Sequence, residues 1–117
     1  MNGRKDDGFD GKGEQKPDWS LLNLEIMEGV VRVLTQGAKK YHRENWRLVP
    51  DGKNRYFAAA LRHLKAWQSG ERKDEESGEN PLAHSICCLI FLLGITKGED
   101  AEKERSDNRI KSLIGLE

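Results

Sequence analysis

The stretch Asn80-Pro81-Leu82-Ala83-His84-Ser85-Ile86-Cys87-Cys88-Leu89-Ile90-Phe91-Leu92-Leu93-Gly94-Ile95-Thr96 decides the fold. Asparagine is a strong helix N-cap, and proline at the first helical position sacrifices no hydrogen bond, because the first N–H groups of a helix have no intrahelical partner. The spacing predicts a helix from Leu82 to about Thr96. From Ile86 onward it is apolar nearly all round, which marks a central helix covered by others. The run from Ile86 to Ile95 is about half the roughly 20 residues needed to cross a bilayer, so no membrane span is expected. Cys87 and Cys88 are the only cysteines and adjoin on this helix, where neighbours do not readily bridge. With no CxxC spacing, two buried, reduced thiols in a cytoplasmic protein are expected.

Two further helical patterns lie upstream. From Asn54 to about Ser69, Phe57, Ala60, Leu61, Leu64 and Trp67 form one apolar stripe, ended by Gly70, and His63 borders its buried side. From Ser20, read as the N-cap, to about Lys39, the residues Met27, Val30, Val31, Leu34 and Ala38 follow helical spacing. Glu25, Glu28, Arg32 and Gln36 then take the opposite or flanking face. No strand alternation or internal repeat appears. The expected fold is all-α, a small three- to four-helix unit whose very apolar third helix would be better covered in an oligomeric helical bundle.

The expected organisation is a mobile lead over residues 1–16, rich in Gly, Lys and Asp, a helical domain over 17–97, and a C-terminal segment over 98–117. In that last segment Lys97 to Arg109 reads as a charged exposed helix or linker. It is followed by an amphipathic piece, Ile110, Leu113, Ile114 and Leu116, able to dock on the body or on another subunit. A charged, glycine-rich start does not read as a secretory signal. The 117 residues carry 20 basic and 20 acidic side chains, a balance that argues against direct nucleic-acid binding by bulk electrostatics. A local basic cluster remains at Lys39-Lys40-Tyr41-His42-Arg43.

Two groups of residues carry chemistry. His63 and His84 bracket the acidic, glycine-bounded turn Gly70 to Gly78, which holds Asp74, Glu75 and Glu76. Carboxylates suit Mg²⁺ or Mn²⁺, and imidazole admits Mn²⁺, so ligands from two helices and their loop would converge on one ion. The bland alternative is a solvated turn whose glutamates favour the positive end of the next helix. The second group is Gly37-Ala38-Lys39-Lys40-Tyr41 with Asn45-Trp46-Arg47. Cations neutralise a polyphosphate, asparagine offers donor and acceptor to a base edge, and an aromatic ring stacks on a base. Equally, Lys39 and Lys40 read as an ordinary solvated helix end, and Trp46 as a core anchor.

The order of motifs adds a resemblance. Lys16-Pro17-Asp18-Trp19-Ser20-Leu21-Leu22, Glu28-Gly29-Val30-Val31-Arg32-Val33-Leu34, Gly37 to Tyr41, Asn45-Trp46, Tyr56 to His63, Gly70 to Gly78 and His84 together resemble a family of small phage-associated dATP/dGTP diphosphohydrolases, over about residues 10 to 95. That family is placed near the all-α nucleoside triphosphate pyrophosphohydrolases of the MazG type. The resemblance implies Mg²⁺- or Mn²⁺-dependent release of pyrophosphate from a purine deoxynucleotide, leaving the monophosphate. It also implies a homo-dimer or homo-tetramer and, for a phage protein, the host cytoplasm. The MazG-type signature pairs an ExxE with a later ExxD. Here Glu25 and Glu28 have the first spacing, while Asp74, Glu76 and His84 stand in place of the second.

The resemblance thus implies Glu28, His63, Asp74, Glu76 and His84 as metal ligands, with Glu75 or Glu76 as general base. Lys39, Lys40 and Arg62 would bind phosphates, and Asn45 and Trp46 the base or sugar. Two alternatives stay open: a non-catalytic helical adaptor, and a metal phosphohydrolase cutting a different phosphate bond.

Overall fold

A computed structural model describes residues 16–115. The lead through residue 15, and Leu116, lie outside the described residues. Three helices, α1 (Leu24–Lys40), α2 (Gly52–Gln68) and α3 (Pro81–Leu113), are accompanied by two short 3-10 turns, Trp19–Leu21 before α1 and Asn45–Arg47 between α1 and α2. No strand occurs among the described residues, and the fold is all-α. α3 is the central element, packing on both other helices and on the second 3-10 turn.

The start of α3 follows from its sequence: Asn80 Oδ1 accepts from the Leu82 amide at 2.8 Å, with Pro81 in the first turn. The start of α1 differs from expectation. Asn23, not Ser20, is its cap, accepting from the Ile26 amide at 2.9 Å. Ser20 instead donates to Asp18 from both its amide (3.0 Å) and its hydroxyl (2.6 Å), inside the preceding 3-10 turn. A nearby carboxylate is a better partner for that hydroxyl than a distant helix amide. α3 also continues well past Thr96, for 33 residues in all. The charged run is therefore an exposed helical extension, supported by Lys53–Glu99 (3.2 Å) and Arg105–Glu102 (2.5 Å) ion pairs. Taken whole, α3 is long and apolar enough to cross a bilayer, a test that the core helix of a bundle also passes.

Helix packing is set by side-chain size as well as by period. The buried cluster between α1 and α3 is Val30, Ala83 and Cys87, with Met27, Val33, Leu34, Ile86 and Phe91 packed on it. Cys87 Sγ donates to the Val30 carbonyl at 3.5 Å. Burial pushes the Cys87 thiol up to about 12 and raises Cys88 as well, so both are protonated packing groups. Between α2 and α3 the approach is closer. Ser85, 1% exposed, donates its hydroxyl to the Ala60 carbonyl at 2.5 Å.

That contact admits only small residues, and it overturns the expected α2 stripe. Ala60 is buried, whereas Leu61, Leu64 and Trp67 stay exposed and Phe57 is 56% exposed. α3 is likewise not covered all round, since Leu89 is exposed and Leu93 is 64% exposed. Enlarging the tight position should therefore be costly. Ala60→Leu is expected to lose about 1 to 3 kcal/mol in urea unfolding, because the added methylenes force the two helices apart. An unchanged midpoint would show that the helices are not held at this distance.

Candidate functional site

The loop between α2 and α3 is organised by one carboxylate. Asp74 Oδ2 accepts from the amides of Glu76 and Ser77, both at 3.0 Å, and from the Ser77 hydroxyl at 3.3 Å. The Asp74 amide donates to the Glu79 carbonyl and the Gly78 amide returns to the Asp74 carbonyl, each at 2.8 Å. Gly78 turns the chain with φ +75, which a side chain rarely adopts. The amide of Ser77 above all holds the Asp74 carboxyl below the usual carboxylate range.

This turn presents its serine to the first turn of α3, with Ser77 Oγ 2.6 Å from His84 Nε2. The same nitrogen is 3.9 Å from Asp74 Oδ2. The His84 ring stacks on that of His63 from α2, with centroids 4.8 Å apart. Burial, and then the neighbouring His84, push the His63 imidazole below its ordinary value. The structure thus gathers His63, Asp74 and His84 in one corner.

Glu28 and Glu76 lie elsewhere. Arg32 holds Glu79 through two bonds of 2.8 and 3.0 Å and also reaches Glu28 at 3.3 Å. Glu76, its side chain 84% exposed, pairs with Lys40 at 3.4 Å, and Glu75 is exposed. Among the described residues no three His, Cys, Asp or Glu side chains are close enough to hold a metal ion. Their chemistry suits a hard cation, but the carboxylates nearest the imidazoles are engaged by Ser77 and Arg32. Of the five expected ligands the structure thus brings together His63, Asp74 and His84 and sets Glu28 and Glu76 apart from them.

Most of the second group lines an open groove of about 1350 Å³ between the C-terminal half of α1, residues 41–50, α2 and α3 around Phe91. One wall is apolar, from Val31, Leu34 and Ala38. The other carries Arg43, Arg55 and Arg62, none with an ion-pair partner among the described residues. Arg62 was expected here. Arg43 and Arg55 were missed, although Arg55 and Arg62 are seven residues apart on one helix, a spacing that keeps them on one face.

Asn45 and Trp46 also line the groove, while Lys39 and Lys40 do not, standing instead at the end of α1 beside it. The Trp46 ring stacks on Phe91 with centroids 5.4 Å apart, and the Arg47 guanidinium lies 4.4 Å from its centre. The Trp46 carbonyl accepts from the Tyr56 hydroxyl at 3.1 Å. Trp46 is thus a packing anchor whose ring is already engaged, and Asn45 is the polar side chain beside it.

An amphipathic groove bordered by arginines, next to a carboxylate and imidazole corner on a small helical scaffold, has the parts of a polyphosphate-handling site. A family model described as "dATP/dGTP diphosphohydrolase, N-terminal" matches residues 7–105, and the chain belongs to that family. It is 29% identical over 90 residues to a dATP/dGTP diphosphohydrolase of Salmonella phage PMBT28, an alignment covering 77% of this chain and 30% of that protein. The chain therefore spans about a third of the relative's length. No solved structure matches it.

The lowered His63 value makes a stability prediction. The unfolded chain takes up a proton at this residue near its ordinary 6.5, while the folded imidazole resists protonation. Stability from His63 is thus complete above that pH and is lost as pH falls through and below it, levelling off once the folded group also titrates. The Asp74 shift acts only in a separate, more acidic window, near and below its ordinary 3.8. Urea midpoints are expected to drop between about pH 8 and about pH 5.5 in the native chain and to drop less in His63→Gln. Parallel pH profiles would mean that the stacked pair carries no such penalty.

Proposed function

We propose that this protein hydrolyses purine deoxynucleoside triphosphates, dATP or dGTP, to the monophosphate and pyrophosphate. Family membership supports the hydrolase class, and the observation that carries the reading is the groove, which combines an apolar wall suited to a planar base with three arginines that have no ion-pair partner among the described residues. A triphosphate brings nearly four negative charges, and guanidinium groups bind phosphate oxygens through paired, charge-assisted hydrogen bonds. In this reading Arg43, Arg55 and Arg62 bind the phosphates, with Lys39 and Lys40 at the rim. Asn45 faces the base or sugar.

Lys40, through its pair with Glu76, ties the acidic loop to the end of α1 beside the groove. In this reading Glu76, or its neighbour Glu75, takes the proton of an attacking water. The water oxygen bonds to the α-phosphorus, the bond from that phosphorus to the bridging oxygen breaks, and its electron pair leaves with pyrophosphate. Arginines already aligned on the phosphates stabilise that developing charge without reorganising. Mg²⁺ or Mn²⁺ enters as part of the substrate, carried on the triphosphate. Such a protein works where the deoxynucleotide pool is, in the cytoplasm of the host.

The exposed stripe of Phe57, Leu61, Leu64 and Trp67 supports association of copies into a dimer or tetramer. Sedimentation equilibrium is expected to give a multiple of 13.3 kDa, and a monomer at micromolar concentration would refute it.

Two measurements test the activity. Incubation with a panel of nucleoside triphosphates and Mg²⁺ or Mn²⁺ should yield the purine deoxynucleoside monophosphate and pyrophosphate; no turnover, or diphosphate plus phosphate, contradicts the proposal. Arg55→Ala and Arg62→Ala should each weaken kcat/KM by about 1 to 3 kcal/mol, equally for dATP and dGTP, because a phosphate contact does not read the base. A change confined to one nucleotide would place the base, not the phosphates, against α2.

A further inference from the structure

Gly94 lies within α3, one turn beyond Phe91, and its backbone is ordinary helix. Glycine in a helix interior is less stable than alanine, so the position calls for a reason outside the backbone. The reason is Trp46: a Cβ built at residue 94 would sit 2.5 Å from its Cη2 and 2.9 Å from its Cζ3. Those atoms belong to the six-membered half of the indole. Phe91 stacks on the same ring from three residues earlier, the spacing of one helix face. Phe91 and Gly94 together form a seat, one by a flat contact and the other by a notch.

We infer that Gly94 is a positioning residue for the groove, acting through Trp46 on Asn45. The inference rests on the nucleotide reading proposed above. Trp46 is the middle residue of the 3-10 turn Asn45–Arg47, and its carbonyl is fixed by the Tyr56 hydroxyl. With ring and carbonyl both held, the turn has one depth in the groove, and Asn45 stands at a fixed distance from the arginines of α2. Filling the notch lifts the ring and shifts Asn45. It leaves Arg55 and Arg62 in place, because they are carried by α2 itself; of the three phosphate-binding arginines only Arg43 shares the loop of the turn, two residues before it. The notch therefore governs recognition of the nucleoside far more than of the polyphosphate, which Arg55 and Arg62 still hold.

The test uses Gly94→Ala, Trp46→Phe and the double variant. Phenylalanine lacks the indole atoms that reach residue 94, so the double variant removes the clash. Gly94→Ala is expected to lower the Tm by several degrees with Trp46 present and to raise it in the Trp46→Phe background, where helix propensity alone acts. A rise in both backgrounds overturns the seat.

In kinetics, Gly94→Ala should raise KM for dATP and dGTP by about tenfold or more, while competitive inhibition by inorganic tripolyphosphate changes by less than about twofold. The double variant should recover most of the lost KM relative to Trp46→Phe alone. Equal changes for nucleotide and tripolyphosphate, or an unchanged KM, overturn the positioning role. A native chain that turns over no nucleotide sinks the proposed function and the role of Asn45 with it, and the Tm signs then decide the seat alone.

Discussion

The close approach of α2 to α3 at Ala60 and Ser85 is the constraint on which the rest of the molecule depends. A serine hydroxyl on a backbone carbonyl of the neighbouring helix leaves no room for a large side chain between them. It also fixes the register of the antiparallel pair. On one side of the contact His63 meets His84; on the other Tyr56 meets Phe91, with ring centroids 5.1 Å apart. Both chemically interesting regions are therefore consequences of one small-residue contact. Sliding α2 along α3 by a turn would unstack the histidines and unseat the Tyr56–Phe91–Trp46 group together.

The overall charge balance conceals a separation of charge. The loop of residues 70–80 carries the carboxylates and is knitted to α1 by Arg32–Glu79 and Lys40–Glu76. The groove carries arginines, of which only Arg47 is paired among the described residues, with Glu44 at 2.8 Å. Arg62 and His63 are adjacent on α2, so successive residues of one helix serve the two regions. The proposed hydrolysis of a polyanion would use such segregation, with cations for the phosphates and a carboxylate for the attacking water. The imidazole corner beside it is closely packed and hydrogen-bonded through Ser77, which fits a rigid support better than a ready ligand set.

Much of the fold was legible because it rests on local chemistry. Asn80-Pro81 declares the start of α3 through capping, and the apolar run after it declares the central helix. What period alone does not report is size. Phe57, Leu61 and Leu64 share a face by spacing, yet the neighbour comes closest where the side chains are smallest, so Ala60 faces inward and the larger residues do not. The same limit explains Ser20, a good cap by type whose hydroxyl is claimed by Asp18. In the acidic group the pairings Glu28–Arg32 and Asp74–Ser77 are local, four and three residues apart, whereas Lys40–Glu76 joins α1 to the loop and is not written in spacing. In the groove, Asn45 and Trp46 were visible from composition, whereas Arg43 and Arg55 became candidates only when the loop was folded against α2.

Hydrogen exchange of the native chain, with and without a non-hydrolysable dGTP analogue in Mg²⁺, tests the location of the site most directly. Slowed exchange in residues 41–50, accompanied by little change in the charged extension of α3, is the expected result, because an occupied groove suppresses opening of the loop that forms its wall. Protection confined to residues 70–80, with residues 41–50 unchanged, would place the nucleotide at the histidine corner and contradict the groove as its site.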